Sequence, residues 1–296
     1  MKRGNKKSGG SRIRLRRVTL LLVVIACLLL ALLFLLPDSR VSKPGGSAPP
    51  EEGSQRGRAQ PPGAAPERPR PARLAVVIDD VGYSLEDLKP FLEFPGPLTF
   101  AVLPRLPHSR EAAAMIKDAG RELLLHCPME PLNGEDSGPG TLLTGQPAEA
   151  LRDELALNLD SVPLAVGMNN HMGSRLTADE QSMRAVMPLL KEHNIFFLDS
   201  RTTADSVCRG LAEEYGVPFL ERDIFIDNER SADYIRSAFK EGLKIAERRG
   251  YAVLIGHIYS KAIIDVLTEA AGEAENWELT SLTRLLEAEK QEADRP

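Results

Sequence analysis

The stretch RLAVVIDDVG, residues 73–82, decides the fold. Leu74 to Ile78 form an unbroken apolar run rich in β-branched residues, which suits a strand buried on both faces. The run delivers two adjacent aspartates, Asp79 and Asp80, to the strand's end, and Gly82 lets the chain turn away. Working outward, similar short β-prone runs recur at Leu98–Leu103, Glu122–His126, Ala165–Asn169, Ile195–Asp199, Val217–Leu220 and Tyr251–Gly256. Helical stretches separate them, near Leu85–Phe91, Ser109–Ala119, Ala148–Leu159, Ala178–His193, Ala204–Tyr215, Ala232–Arg249 and Ala262–Ala271. Thr177-Ala-Asp-Glu180 has capping-box spacing, and Gly120, Gly216 and Gly250 stand where helix C-terminal turns need a positive φ. Such alternation is the signature of parallel βα units, arranged as a barrel or a doubly wound sheet. In either arrangement ligands bind beyond the carboxyl ends of the strands.

Upstream the character changes. Val18 to Leu36 is a run of 19 residues without a charge, and at about 1.5 Å per residue it nearly spans a bilayer's hydrocarbon core. The preceding residues 1–17 carry Lys2, Arg3, Lys6, Lys7, Arg12, Arg14, Arg16 and Arg17, and positive flanks stay in the cytoplasm. The run therefore reads as an uncleaved signal anchor holding the rest of the chain outside the cytoplasm, periplasmic or at the cell surface. A cleaved signal peptide is the competing reading and would make the protein secreted, but no small-x-small site follows the run. Val24-Ile25-Ala26-Cys27 loosely resembles a lipoprotein processing site, yet cleavage there would leave a terminus inside a leucine run. Residues 37–72, rich in Pro, Gly, Ser, Ala and Arg, read as a flexible tether, and residues 73–296 as one globular domain.

Residues 1–72 hold 14 basic and 4 acidic groups, which leaves 23 basic and 38 acidic in 73–296. So acidic a domain argues against nucleic acid as partner. Its two cysteines, Cys127 and Cys208, make no disulfide framework, and no bridge between them is expected.

Chemistry-bearing residues gather at the predicted strand ends. His126 closes ELLLH, His171 lies in the polar segment VGMNNHMGSR with Asn169 and Asn170, Asp199 and Arg201 follow the fifth run, and His257 ends the seventh. One at a time each has a structural explanation: the aspartate pair could cap a helix, and a lone histidine could be a satisfied core residue. Three of the chain's five histidines at strand ends favour a site. His193, at a helix C-terminus, and His108, at a surface helix start, do not need one. A carboxylate with two imidazoles suits zinc or a similar divalent ion with positions left open.

The segments IDDVG, FAVLP, HCPMEP, GMNNHMGS, FLDSRTT and IGH, taken in order, resemble the divergent branch of the NodB-type polysaccharide deacetylases over about Arg73 to Ala271. The resemblance implies a distorted (β/α)7 barrel. It implies Asp79 as general base, Asp80 as metal ligand, His126 as a second ligand, His257 as the acid that protonates the leaving amine, and Asp199 as the residue that orients the base or its partners. Two places depart from the pattern. Glu130 stands where the second motif ordinarily has another histidine, and His171 stands where the third has an Arg and Pro loop, so His171 is expected to replace the missing ligand. The implied function is metal-dependent removal of acetyl groups from an envelope polysaccharide or a peptidoglycan-like glycan. The alternative is a non-catalytic envelope protein that binds metal and glycan on the same fold.

Overall fold

The computed structural model describes residues 71–272 and 276–293. The expected basic tail, the anchor Val18–Leu36 and nearly all of the tether lie outside the described residues. Among the described residues no helix is long and apolar enough to cross a membrane.

The chain runs β1 (Ala72–Val81), α1 (Leu85–Glu93), β2 (Thr99–Val102), α2 (Ser109–Asp118), β3 (Glu122–Met129), α3 (Ala148–Ser161), β4 (Gly167–Met172), α4 (Glu180–Glu192) and β5 (Phe196–Asp199). It continues through α5 (Cys208–Tyr215), β6 (Phe219–Glu221), β7 (Ile224–Phe225), α6 (Ala232–Arg249), β8 (Tyr251–His257), α7 (Ala262–Gly272), β9 (Trp277–Thr280) and α8 (Leu282–Ala293). All seven expected strands and all seven expected helices are present, the helix Ala232–Arg249 with both ends as expected and the others with one or both ends shifted. Among the described residues, elements not foreseen are a single 3-10 turn at Leu176–Ala178, the two-residue β7, and β9 and α8 after the last expected helix.

All strands pair in parallel, in the order β6-β5-β4-β3-β2-β1-β8-β7, with β9 on the lower part of β1. The edge strands β6 and β7 are consecutive in the chain. Between them Arg222 N donates to Asp199 O on β5, and Asp223 N donates to Val253 O on β8. The sheet therefore curls into a half-barrel whose two edges approach each other.

Alternation along each strand sorts side chains between two apolar cores. Outward residues such as Val76, Ile78, Phe100, Leu125 and Phe197 pack under the helices, while Ala75, Val77, Ala101, Leu124, Leu198, Val253 and Ile255 fill the inside of the curl. Leu282 and Leu285 of α8 plug the inside from below. The start of α8 is held by Glu122, whose carboxylate accepts from Leu282 N and Thr283 N. A carboxylate at a helix N-terminus satisfies otherwise unpaired amides.

Several local expectations shift for identifiable reasons. β1 starts at Ala72, inside the expected tether. β3 does not stop at His126 but runs through Pro128 to Met129; β2 ends opposite Leu125, and beyond it that side is met only by Leu142, which donates to Pro128 O and accepts from Glu130 N, so the missing N–H of Pro128 interrupts no regular ladder. The cap of α4 is Asp179, which accepts from Ser182 N; Thr177 instead donates to Gly173 O, so the capping box at Thr177 is not formed. α5 starts at Cys208 rather than Ala204, because Ser206 Oγ bonds Asp199 and accepts from Cys208 N. Gly120, Gly216 and Gly250 do take positive φ after their helices. Cys127 and Cys208 are both buried free thiols.

Candidate functional site

The inward parity that fills the curl also builds a polar cluster at its carboxyl end. Asp79 follows Val77, His126 follows Leu124 and His257 follows Ile255, each two residues beyond an inward apolar side chain. Asn169 stands opposite His126 in the register of β3 and β4, and His171 projects from the same side of β4 two residues on. Asp80 should by alternation face outward. It does not, because β1 advances three residues from Ile78 to Val81 while β2 advances two, a bulge, and Asp80 adopts φ 63°. Aspartate tolerates this left-handed backbone better than most residues. The bulge turns two neighbouring carboxylates into one site.

Asp80 Oδ1 lies 3.2 Å from His126 Nε2 and 3.1 Å from His171 Nδ1. The two nitrogens are 3.1 Å apart. Asp80 Oδ1 is buried and has no hydrogen-bond partner. Three electronegative atoms facing one another at this spacing call for a cation. Ligand atoms about 2.0–2.2 Å from a common divalent ion stand roughly 3.0–3.5 Å apart, so the donor set fits one.

Around the triad stand the groups that hold it. Asn169 Oδ1 lies 2.8 Å from His126 Nδ1, and its Nδ2 donates to Asp79 Oδ1 at 2.9 Å and Oδ2 at 3.1 Å. Asn170, on the opposite side of β4, accepts from Ser200 N and donates to Met172 O. Gly173 takes φ 85°, and a Cβ there would sit 2.8 Å from that of Met129, so the turn that follows His171 depends on glycine. His257 Nδ1 lies 2.9 Å from Asp227 Oδ1, and Asp227 Oδ2 accepts from the His257 amide. Phe225 and Tyr259 stack on the imidazole, with ring centres 5.8 and 5.1 Å away.

These environments push the two adjacent carboxyls apart. Burial raises the pKa of Asp79, which the His126 and His257 charges offset only in part. Burial acts on Asp80 as well, but the imidazoles of His126 and His171 overcome it and hold this carboxyl well below the usual range. Burial would lower His126, yet the charges of Asp79 and Asp80 raise it. Burial would also lower His257, and Asp227 outweighs it, so the imidazole is pushed up to about 9.

Asp199 and Glu130 lie outside this cluster. Asp199 is two residues beyond the outward Phe197; its carboxylate accepts from Arg201 N at 2.7 Å and Ser206 Oγ at 2.5 Å, and no described hydrogen bond joins it to Asp79 or His257. Arg201 pairs with Glu221. Glu130 accepts from Thr144 N and Thr144 Oγ1 and pairs with Arg175, bracing the loop after β3. Two residues with clear positions in the cluster were not given roles from the sequence. Asp227 follows β7, a strand too short to show a periodic pattern. Asn169 lies in a segment whose composition suits a polar loop, although its spacing from His171 puts both on one face.

The chain belongs to the divergent polysaccharide deacetylase family, whose model matches residues 76–286. It is similar to an uncharacterized protein of Haemophilus influenzae, with 39% identity over 186 residues, and to the uncharacterized protein YibQ of Escherichia coli, with 36% over 185. These matches cover 63% and 62% of this chain and 66% and 58% of those relatives, less than two thirds of either relative's length. A crystal structure of an uncharacterized protein from Agrobacterium tumefaciens C58 aligns with a TM-score of 0.69 at 26% identity, covering 73% of this chain and 90% of that one.

Proposed function

We propose that this protein is a metal-dependent hydrolase that removes N-acetyl groups from an envelope polysaccharide or peptidoglycan-like glycan, on a distorted (β/α)7 barrel. One observation carries the reading: Asp80 Oδ1, His126 Nε2 and His171 Nδ1 converge within 3.2 Å of one another, with a raised carboxyl and a raised imidazole beside them. Asp80, His126 and His171 would hold the ion, and zinc suits their one oxygen and two nitrogens. Such an ion, when bound, supplies Lewis-acid polarisation of the acetyl carbonyl and activation of water near neutral pH. Asp79 stands beside the triad with both oxygens hydrogen-bonded, placed to take a proton from the attacking water. His257, held through Nδ1 by Asp227, keeps Nε2 to donate a proton to the departing amine, a poor leaving group until protonated. Environments that drive neighbouring groups to different pKa values commonly mark such a division of acid and base roles.

The acidic domain is taken to work outside the cytoplasm, anchored through Val18–Leu36. Retention in the membrane fraction after an alkaline wash is the expected result, and release into the soluble fraction would remove the anchor. The decisive experiment is metal analysis of the purified chain together with acetate release from chitin oligomers and peptidoglycan. About one divalent ion per chain and release abolished by chelation are expected. A metal-loaded chain that binds these glycans and frees no acetate would instead be the non-catalytic binding protein.

A further inference from the structure

The amide of Asn169 can be placed in one orientation only. Its Nδ2 lies within hydrogen-bond reach of Asp79 Oδ1, Asp79 Oδ2 and Ser200 Oγ; turned over, the amide would set its carbonyl oxygen against a carboxylate. With Nδ2 so placed, Oδ1 needs a donor, and the atom it faces at 2.8 Å is His126 Nδ1. A neutral imidazole carries its proton on one nitrogen and a lone pair on the other. Donation from Nδ1 leaves the lone pair on Nε2, the nitrogen that meets Asp80 Oδ1 and His171 Nδ1.

The same amide acts on the other side. Asp79 Oδ2 is only 3.7 Å from His126 Nε2, so a modest swing would bring this second carboxylate into the ligand set. Two donor bonds from one nitrogen hold both of its oxygens back. We infer that Asn169 is a positioning residue that assigns the two adjacent carboxylates their separate places: it fixes His126 to bind an ion through Nε2, and it holds Asp79 outside the ligand shell as the proton acceptor.

The half concerning Asp79 rests on the deacetylase reading; the half concerning His126 does not. Two substitutions separate them. Asn169→Asp keeps an acceptor for His126 Nδ1 and removes the donor to Asp79, whereas Asn169→Leu removes both at similar volume. Asn169→Leu is expected to weaken zinc binding by roughly 10- to 100-fold, the usual effect of losing a group that orients a ligand. Asn169→Asp is expected to bind zinc at least as tightly as wild type, since Asp79 is freed towards the ion, yet lose kcat by roughly 10-fold or more at little changed KM. A residue that serves packing alone would not split affinity from kcat in this way.

Nitrogen-15 spectra of the zinc-loaded wild-type chain give a reading that needs no variant to fold. His126 should show a proton on Nδ1 in slow exchange and the metal on Nε2. Metal on Nδ1, or zinc affinity of Asn169→Leu within twofold of wild type, would overturn the inference. Acetate release without this tautomer refutes the inference and leaves the deacetylase reading standing. The tautomer without acetate release upholds the His126 half and refutes the deacetylase reading together with the Asp79 half that rests on it.

Discussion

Strands β1 and β5 end alike in sequence. Each is a short apolar run closed by aspartate, and each has a non-glycine residue at positive φ within two positions, Asp80 at 63° and Arg201 at 50°. The two aspartates nevertheless do different things. Asp79 continues the inward series of Ala75 and Val77 and meets His126 and Asn169. Asp199 continues the outward series through Phe197 and ties down the start of α5 through Ser206. In a sheet buried on both faces, an aspartate at a strand's carboxyl end acquires its neighbours from the parity of the run behind it.

The sharpest test of that contrast compares the two aspartates directly. Asp79→Asn should keep the metal, since Asp80 is the proposed ligand, and should lower deacetylation by about 10²–10⁴-fold. His257→Ala should do likewise. Activity untouched by both substitutions would break the inward assignment, as would loss of metal on Asp79→Asn.

A second, smaller effect concerns pH. The His257 pKa is raised from 6.5 to about 9, with Asp227 overcoming the opposing effect of burial. A group with a raised folded pKa contributes stability that is complete below its unfolded value and is lost as pH rises through the folded one. The metal-free wild type should therefore lose on the order of 3 kcal/mol between pH 6.5 and pH 9 to 10. Asp227→Asn should show a much flatter profile in urea melts over the same window, and parallel profiles would mean that the pair contributes no linkage.

Third, Asp199→Ala strands Ser206 Oγ and the Arg201 amide and should cost about 1–3 kcal/mol of stability. Zinc affinity should stay within twofold of wild type. A large loss of metal from this variant would put β5's aspartate back among the site residues. Smallest of all, Glu130→Gln keeps an acceptor for Thr144 and loses only the ion pair with a half-exposed Arg175, so a change below about 1 kcal/mol in melting experiments is expected.

Much of this was legible in the sequence. The runs from Leu74 to Ile78 and from Ala252 to Ile255 are long enough to declare buried strands, and the residues that end them, Asp79 and His257, were found because apolar runs point to their ends. Parity was equally available: counting in twos from Val77 and from Phe197 separates Asp79 from Asp199. The Asp80 bulge was not available, since nothing in IDDVG distinguishes a regular strand end from one with an extra residue. β7 has two residues and no pattern, so Asp227 had no strand to mark it. α8 did have a signal in the spacing of Leu282, Leu285 and Leu286, obscured by its acidic surroundings. Glu130 stands near a ligand in sequence and away from it in space because β3 runs past His126.

The position of β9 bears on how the molecule comes into being. Leu74 pairs with Leu279, about 200 positions later in the chain, and Glu122 closes the start of a helix made from the last residues described. At ribosomal speeds of about 5–20 residues per second, roughly 10–40 s separate the emergence of these partners. During that interval the lower part of the first strand has yet to meet the neighbour it will keep. Nascent chains that stop before Trp277 would leave the lower part of β1 and the inside of the curl open to water. Such chains are natural clients for chaperones and proteases, and the finished domain is a product of complete synthesis.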